Sequence, residues 1–125
     1  MKKILTAIKS VLLIDPSDRK NTNLISVFEE NGLVLEIISN EHNYQNRIHD
    51  RQYDCVMLNS DLENDKTENI IDFVKTTYPG IIVVILLEEP TFEKIFRLVR
   101  LGVDDFIIKP YIWDDIEKLL RYYYY

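Results

Sequence analysis

Five short apolar runs, each followed by a helical pattern, constrain the fold of this chain more than any other feature. They are VLLI at 11–14, LVLEII at 33–38, CVML at 55–58, IIVVILL at 81–87 and DFII at 105–108. Runs this short, rich in Val and Ile and without clean alternation, suit strands of a parallel sheet covered on both faces. Between them, Leu24, Val27 and Phe28 form one helical face, with Asp18 as its expected N-cap and Gly32 just past its end. Residues 41–50 make a weaker helix with Tyr44 and Ile48 on one side. Ile70, Phe73, Val74 and Tyr78 form a 3.6-period stripe, as do Phe92, Ile95, Phe96 and Val99, and finally Ile116, Leu119, Leu120 and Tyr123. A β-α unit repeated five times predicts right-handed crossovers and a three-layer αβα sandwich. The 125 residues suffice for one domain with a real core, and the only low-complexity feature is the terminal YYYY.

Composition excludes several functions. A net charge of −6 and a sequence pI near 4.9 leave no basic patch for nucleic acid. The single cysteine, Cys55, rules out an internal disulfide and sits in an apolar run, as a buried inert thiol would. The start MKKILTAIKSVLLID lacks the features of a signal peptide, because Lys9 interrupts it, Asp15 ends it and no small-residue cleavage site follows. No segment reaches the roughly 20 apolar residues that span a bilayer, so a soluble cytoplasmic protein is expected. Gly32 and Gly102 are assigned to helix stops and Gly80 to a turn, which leaves none to cradle a phosphate. The DPSDRKN stretch after the first strand therefore does not suit a nucleotide.

In an open α/β sheet, ligands and chemistry gather at the C-terminal ends of the strands. Here those ends carry Asp15, Asn59, Leu87 and Lys109. The element order, together with VLLID, YDCVMLN and above all LGVDDFIIKPY at 101–111, resembles the receiver domain of bacterial response regulators over about residues 11–121. The resemblance implies a flavodoxin-like sheet of order 2-1-3-4-5. It divides the chain into an N-terminal extension (1–10), the receiver-like domain (11–121) and a tyrosine-rich tail (122–125).

Active members of that family take a phosphoryl group on an aspartate ending the third strand. An acidic pair after the first strand and a backbone carbonyl hold Mg²⁺, a Ser or Thr ends the fourth strand, and a Lys ends the fifth. The anionic carboxylate is the nucleophile, and the cations offset charge on the phosphoryl group. By position, Asn59 stands where the acceptor is expected, and its neutral carboxamide is a poor nucleophile. Asp15 keeps the first acid, but Pro16 replaces the second and has no ligand atom for Mg²⁺. Leu87 replaces the hydroxyl residue. Lys109, Pro110 and the switch aromatic, Phe106, are retained. Three losses on three strand ends all remove one reaction, so the resemblance implies a degenerate receiver with no catalytic residue, metal or cofactor.

For Asn59 two readings stay open: an amide that mimics one signalling state by bonding Lys109, or a plain polar strand end. A salt bridge between Asp15 and Lys109 is expected to fill the vacated metal site. Asp104 and Asp105 read as loop carboxylates, and Glu88 and Glu89 as solvated. His42 and His49 lack the spacing of a metal pair. In the family, the fourth helix, fifth strand and fifth helix form the usual interaction face. Phe92, Phe96, Tyr111, Trp113 and Tyr122 fall in or near it and are the candidate surface for a protein partner or a homodimer. Because the chain stops after the fifth helix, signalling by docking rather than through an attached output domain is expected. The alternatives are phosphorylation of Ser60 or Asp61 with Asp15 holding Mg²⁺, and a small ligand in the vacated pocket.

Overall fold

A computed structural model describes residues 9–15, 22–39, 43–59 and 64–123. Strands and helices alternate: β1 (Ser10–Ile14), α1 (Thr22–Glu30), β2 (Val34–Ile38), α2 (Tyr44–Arg51), β3 (Cys55–Asn59), α3 (Asn64–Thr77), β4 (Ile82–Leu87), α4 (Phe92–Arg100), β5 (Asp105–Ile108) and α5 (Trp113–Tyr122). The five strands are parallel, in the order β2-β1-β3-β4-β5. This is the expected flavodoxin-like αβα sandwich. The weak second helix lies at 44–51 rather than 41–50, with Tyr44 and Ile48 buried as read.

Alternation along the strands builds two cores, one on each face of the sheet. Leu12, Ile14, Val56, Leu58, Val83, Ile85 and Leu87 face the layer of α2, α3 and α4, where they meet Ile48, Ile70, Val74 and Leu98. Val11, Leu13, Cys55, Met57, Val84, Leu86 and Ile107 face α1 and α5, against Phe28, Ile116, Leu119 and Leu120. Gly32 at φ +75° and Gly102 at φ +103° end the turns after α1 and α4, in the left-handed region that favours glycine.

Two readings become more specific. Phe92 and Phe96 of the candidate surface are exposed, and the stripe they form with Ile95 and Val99 is only partly covered. Leu98 is buried and Ile95 partly so, while Phe92, Phe96 and Val99 are 82%, 53% and 52% exposed. The helix has one broad apolar side with its charged residues opposite, and the contacts it makes cover only one flank of that side. Leu98, Ile95 and Leu101 enter the core, and Arg97 reaches Glu68 of α3 at 3.3 Å. Asp104 is likewise more than a loop carboxylate. It accepts the Lys75 ammonium (2.9 Å) and the Val83 N–H (2.8 Å), while its own N–H bonds the Val83 carbonyl (2.9 Å). Lys75 also bonds the Ile81 carbonyl, so α3, β4 and the start of β5 are clamped at one point.

Candidate functional site

Asp15, Asn59 and Lys109 meet because of register and alternation. β1 pairs with β3 from Val11↔Cys55 to Ile14↔Leu58, so Asp15 comes level with Asn59 one step further on. Asn59 pairs with Leu86, and Leu86 with Ile107, two residues before Lys109. All three lie at odd positions, the parity of Val11, Met57 and Ile107, on the α1/α5 face of the sheet.

Asn59 is 6% exposed, so each end of its carboxamide requires a partner. Its Nδ2 donates to Asp15 Oδ1 at 3.1 Å, and its Oδ1 accepts from Lys109 Nζ at 2.5 Å. Only this orientation points the donor at the carboxylate and the acceptor at the ammonium. A carboxylate in this place would face Asp15 with like charge. The amide is a neutral spacer between an anion and a cation, and this is the physical reason an amide suits the position. Where a direct salt bridge is expected from the sequence, Asp15 and Lys109 are linked through Asn59.

The neighbouring positions divide between the two faces. Leu87 is fully buried in the opposite core, and its carbonyl accepts the Lys109 N–H at 2.7 Å, tying the ends of β4 and β5 together. Phe106 is half-buried against the same cluster as Leu87. Pro16, Ser60 and Asp61 lie outside the described residues, as do Asp18, His42, Tyr124 and Tyr125. Glu88 and Glu89 are exposed, and His49 Nδ1 lies 2.7 Å from the Tyr78 hydroxyl. Among the described residues, no group of three His, Cys, Asp or Glu side chains is arranged to hold a metal ion. Burial of Cys55 pushes its thiol far above the ordinary range, as for an inert core residue.

The candidate surface splits in two. Phe92 and Phe96 project from α4 with stacked rings 5.9 Å apart, and the Arg100 guanidinium lies 5.7 Å from the Phe96 ring. Tyr122 is 76% exposed on α5, and Ile108 of the edge strand is 45% exposed. Trp113 instead packs edge-on to Phe28, 5.3 Å between ring centres. Tyr111 also packs on the α1/α5 core, where burial, with a smaller contribution from the Asp15 charge, raises its phenol. Sequence reading missed Ile108 and Ile112, whose exposure follows from lying on an edge strand and at the cap of α5.

No family model and no curated protein sequence matches the chain. Solved structures do. A response regulator from Thermotoga maritima superposes with a TM-score of 0.82 at 20% identity, over 92% of this chain and 96% of that one. A chemotaxis protein of Vibrio cholerae gives 0.81 at 15% identity, over 93% and 98%. An orphan response regulator of H. pylori gives 0.76 at 22%, over 90% and 95%. The fold is that of the response-regulator receiver domain. Within it, Asp15, Asn59 and Lys109 occupy the C-terminal edge of the sheet, at the ends of β1, β3 and β5, and no helix among the described residues is long and apolar enough to cross a membrane.

Proposed function

We propose that this protein is an atypical receiver module of two-component-type signalling, cytoplasmic and without enzymatic activity. It acts by protein–protein interaction and without aspartyl phosphorylation. The observation that carries this reading is the buried Asn59 carboxamide, bonded at one end to Asp15 and at the other to Lys109 where the receiver resemblance puts an acceptor aspartate. An amide oxygen bonded to an ammonium is a still poorer nucleophile than a free one, and Leu87 brings no hydroxyl to the same edge. Incubation with acetyl phosphate and Mg²⁺, followed by intact mass, is expected to leave the protein unmodified. A stoichiometric phosphate adduct overturns the reading, and its position would show whether Ser60 or Asp61 has taken the role.

The interaction face in this proposal is formed by α4, β5 and α5, where Phe92, Phe96, Ile108 and Tyr122 are exposed. A homodimer through this face is its specific form. Light scattering should show mass rising with concentration, and a Phe92→Ser/Phe96→Ser variant should stay monomeric. A wild-type monomer at high concentration sinks the homodimer and leaves a different protein as partner. A second reading is favoured by the cavity of about 390 Å³ beside Lys109, bounded by Glu88, Pro110 and Tyr111. It suits a small ligand at the mouth of the site, which a thermal-shift screen of metabolites would reveal.

A further inference from the structure

The layer opposite the Asn59 row contains a cleft that the signalling proposal does not use. Helix α2 has eight residues and α3 fourteen, about 12 Å against about 21 Å at the usual helical rise. The shorter helix leaves one flank of α3 uncovered, and a cavity of about 610 Å³ opens between them. That volume lies in the range of small-molecule sites.

The floor of the cleft is aromatic and held in place. The Tyr44 and Phe73 rings meet edge-to-face at 5.5 Å and 85°, and Ile70 lines the same cavity. Phe73 also has the Tyr78 ring 6.2 Å away at 69°, and the Tyr78 hydroxyl in turn lies 2.7 Å from His49 Nδ1. A ring already held by two aromatic neighbours loses little freedom when a ligand ring stacks on it, so little affinity is spent on ordering the site. The rim supplies carboxamides. Gln45 donates through Nε2 to the Tyr44 hydroxyl at 3.2 Å, and among the described residues its oxygen accepts no hydrogen bond. The exposed Asn69 side chain has no hydrogen-bond partner among the described residues. Each amide offers a donor beside an acceptor, the complement of the N–H/C=O or N–H/N edge of a heteroaromatic base. Lys66 and Asp72 are the charged residues of the rim and carry opposite signs, in a chain whose net charge is −6. Nothing there favours an anion.

From this combination we infer that the α2–α3 cleft is a binding site for an uncharged, planar heteroaromatic molecule of about nucleobase size. The molecule stacks on Phe73 and is read along its edge by Gln45 and Asn69. The site lies on the α2/α3/α4 face of the sheet, whereas Asp15, Asn59 and Lys109 lie on the other, so its success or failure is independent of the phosphorylation test.

The full chain, labelled with ¹⁵N, is titrated with adenosine as the probe and with AMP as its charged counterpart. Adenosine should move the side-chain amide signals of Gln45 and Asn69 and the backbone signal of Thr76 saturably. AMP should bind no more tightly than adenosine. Phe73→Leu keeps an apolar side chain but removes the ring, and should weaken binding about tenfold. Asn69→Ala, at an exposed position that does not support the fold, should weaken it about three- to tenfold. Absence of these shifts up to the solubility limit of adenosine overturns the inference. So does tighter binding of AMP, or wild-type affinity in the Asn69→Ala protein.

Discussion

Replacing Asn59 by aspartate adds no heavy atom, yet sets a carboxylate where the amide nitrogen now lies 3.1 Å from Asp15 Oδ1. A donor–acceptor contact becomes a repulsion between a buried carboxylate and the partly buried Asp15, only partly offset by Lys109. Asn59→Asp is therefore expected to destabilise the fold by about 1–3 kcal/mol, measured by urea unfolding at neutral pH with a chelator present. The repulsion raises one carboxyl of the variant above its unfolded value. Its penalty is then full above that raised folded pKa and shrinks as pH falls through it. Mg²⁺ should restore part of the loss by giving two carboxylates a hard cation to share. Equal stability of the two proteins at neutral pH would mean that the amide bridge contributes nothing.

At the level of elements, α4 shows how one broad apolar face is covered on one flank and exposed on the other. Leu98 is buried, and Leu98→Ala should cost about 2–5 kcal/mol through the cavity it leaves. Phe92→Ser and Phe96→Ser remove larger side chains, but from exposed positions, and should change stability by no more than about 0.5 kcal/mol. Comparison of the urea midpoints checks the contrast. If the Phe variants are as unstable as Leu98→Ala, the helix is rotated from the orientation found here. A second element-scale expectation concerns the clamp at the start of β5. Asp104→Ala leaves the Lys75 ammonium and the Val83 N–H without their shared acceptor. It should cost about 1–3 kcal/mol, and the amides of 105–108 should lose hydrogen-exchange protection before those of the central strands. The Asp15–Asn59–Lys109 bridge, at the other end of the sheet, should keep its chemical shifts.

Across the whole molecule, the two cores make stability sensitive to alkali. Burial raises the phenol of Tyr53 to about 12, with the Glu36 carboxylate adding to the effect, and burial likewise raises Tyr123 to about 12. Both exceed the unfolded value near 10. Between these limits the unfolded chain has lost protons that the folded one still holds, so stability falls as pH rises. The contribution is complete below about pH 10 and is lost as pH climbs through about 12. Urea midpoints at stepped alkaline pH should decline over this window, and Tyr53→Phe should flatten the decline. A midpoint constant through the window would show that neither phenol is shielded. How much of the architecture was legible beforehand follows from the same two cores. The apolar runs, the helical stripes and the stops at Gly32 and Gly102 depend on local chain geometry, and the sequence alone determined the β-α order and the doubly covered sheet. It also determined that Asp15, Asn59 and Lys109 share one edge, because each follows or ends an apolar run. Other features depended on residues far apart in the chain: the donor and acceptor sense of Asn59, set by partners 44 and 50 residues away, and the clamp from Asp104 back to Lys75, 29 residues earlier. The inward packing of Trp113 on Phe28 and the face α4 turns to the core are of this second kind. Only the tertiary structure decided them, because periodicity states which side of a helix is apolar, whereas contact between elements states how much of that side is covered.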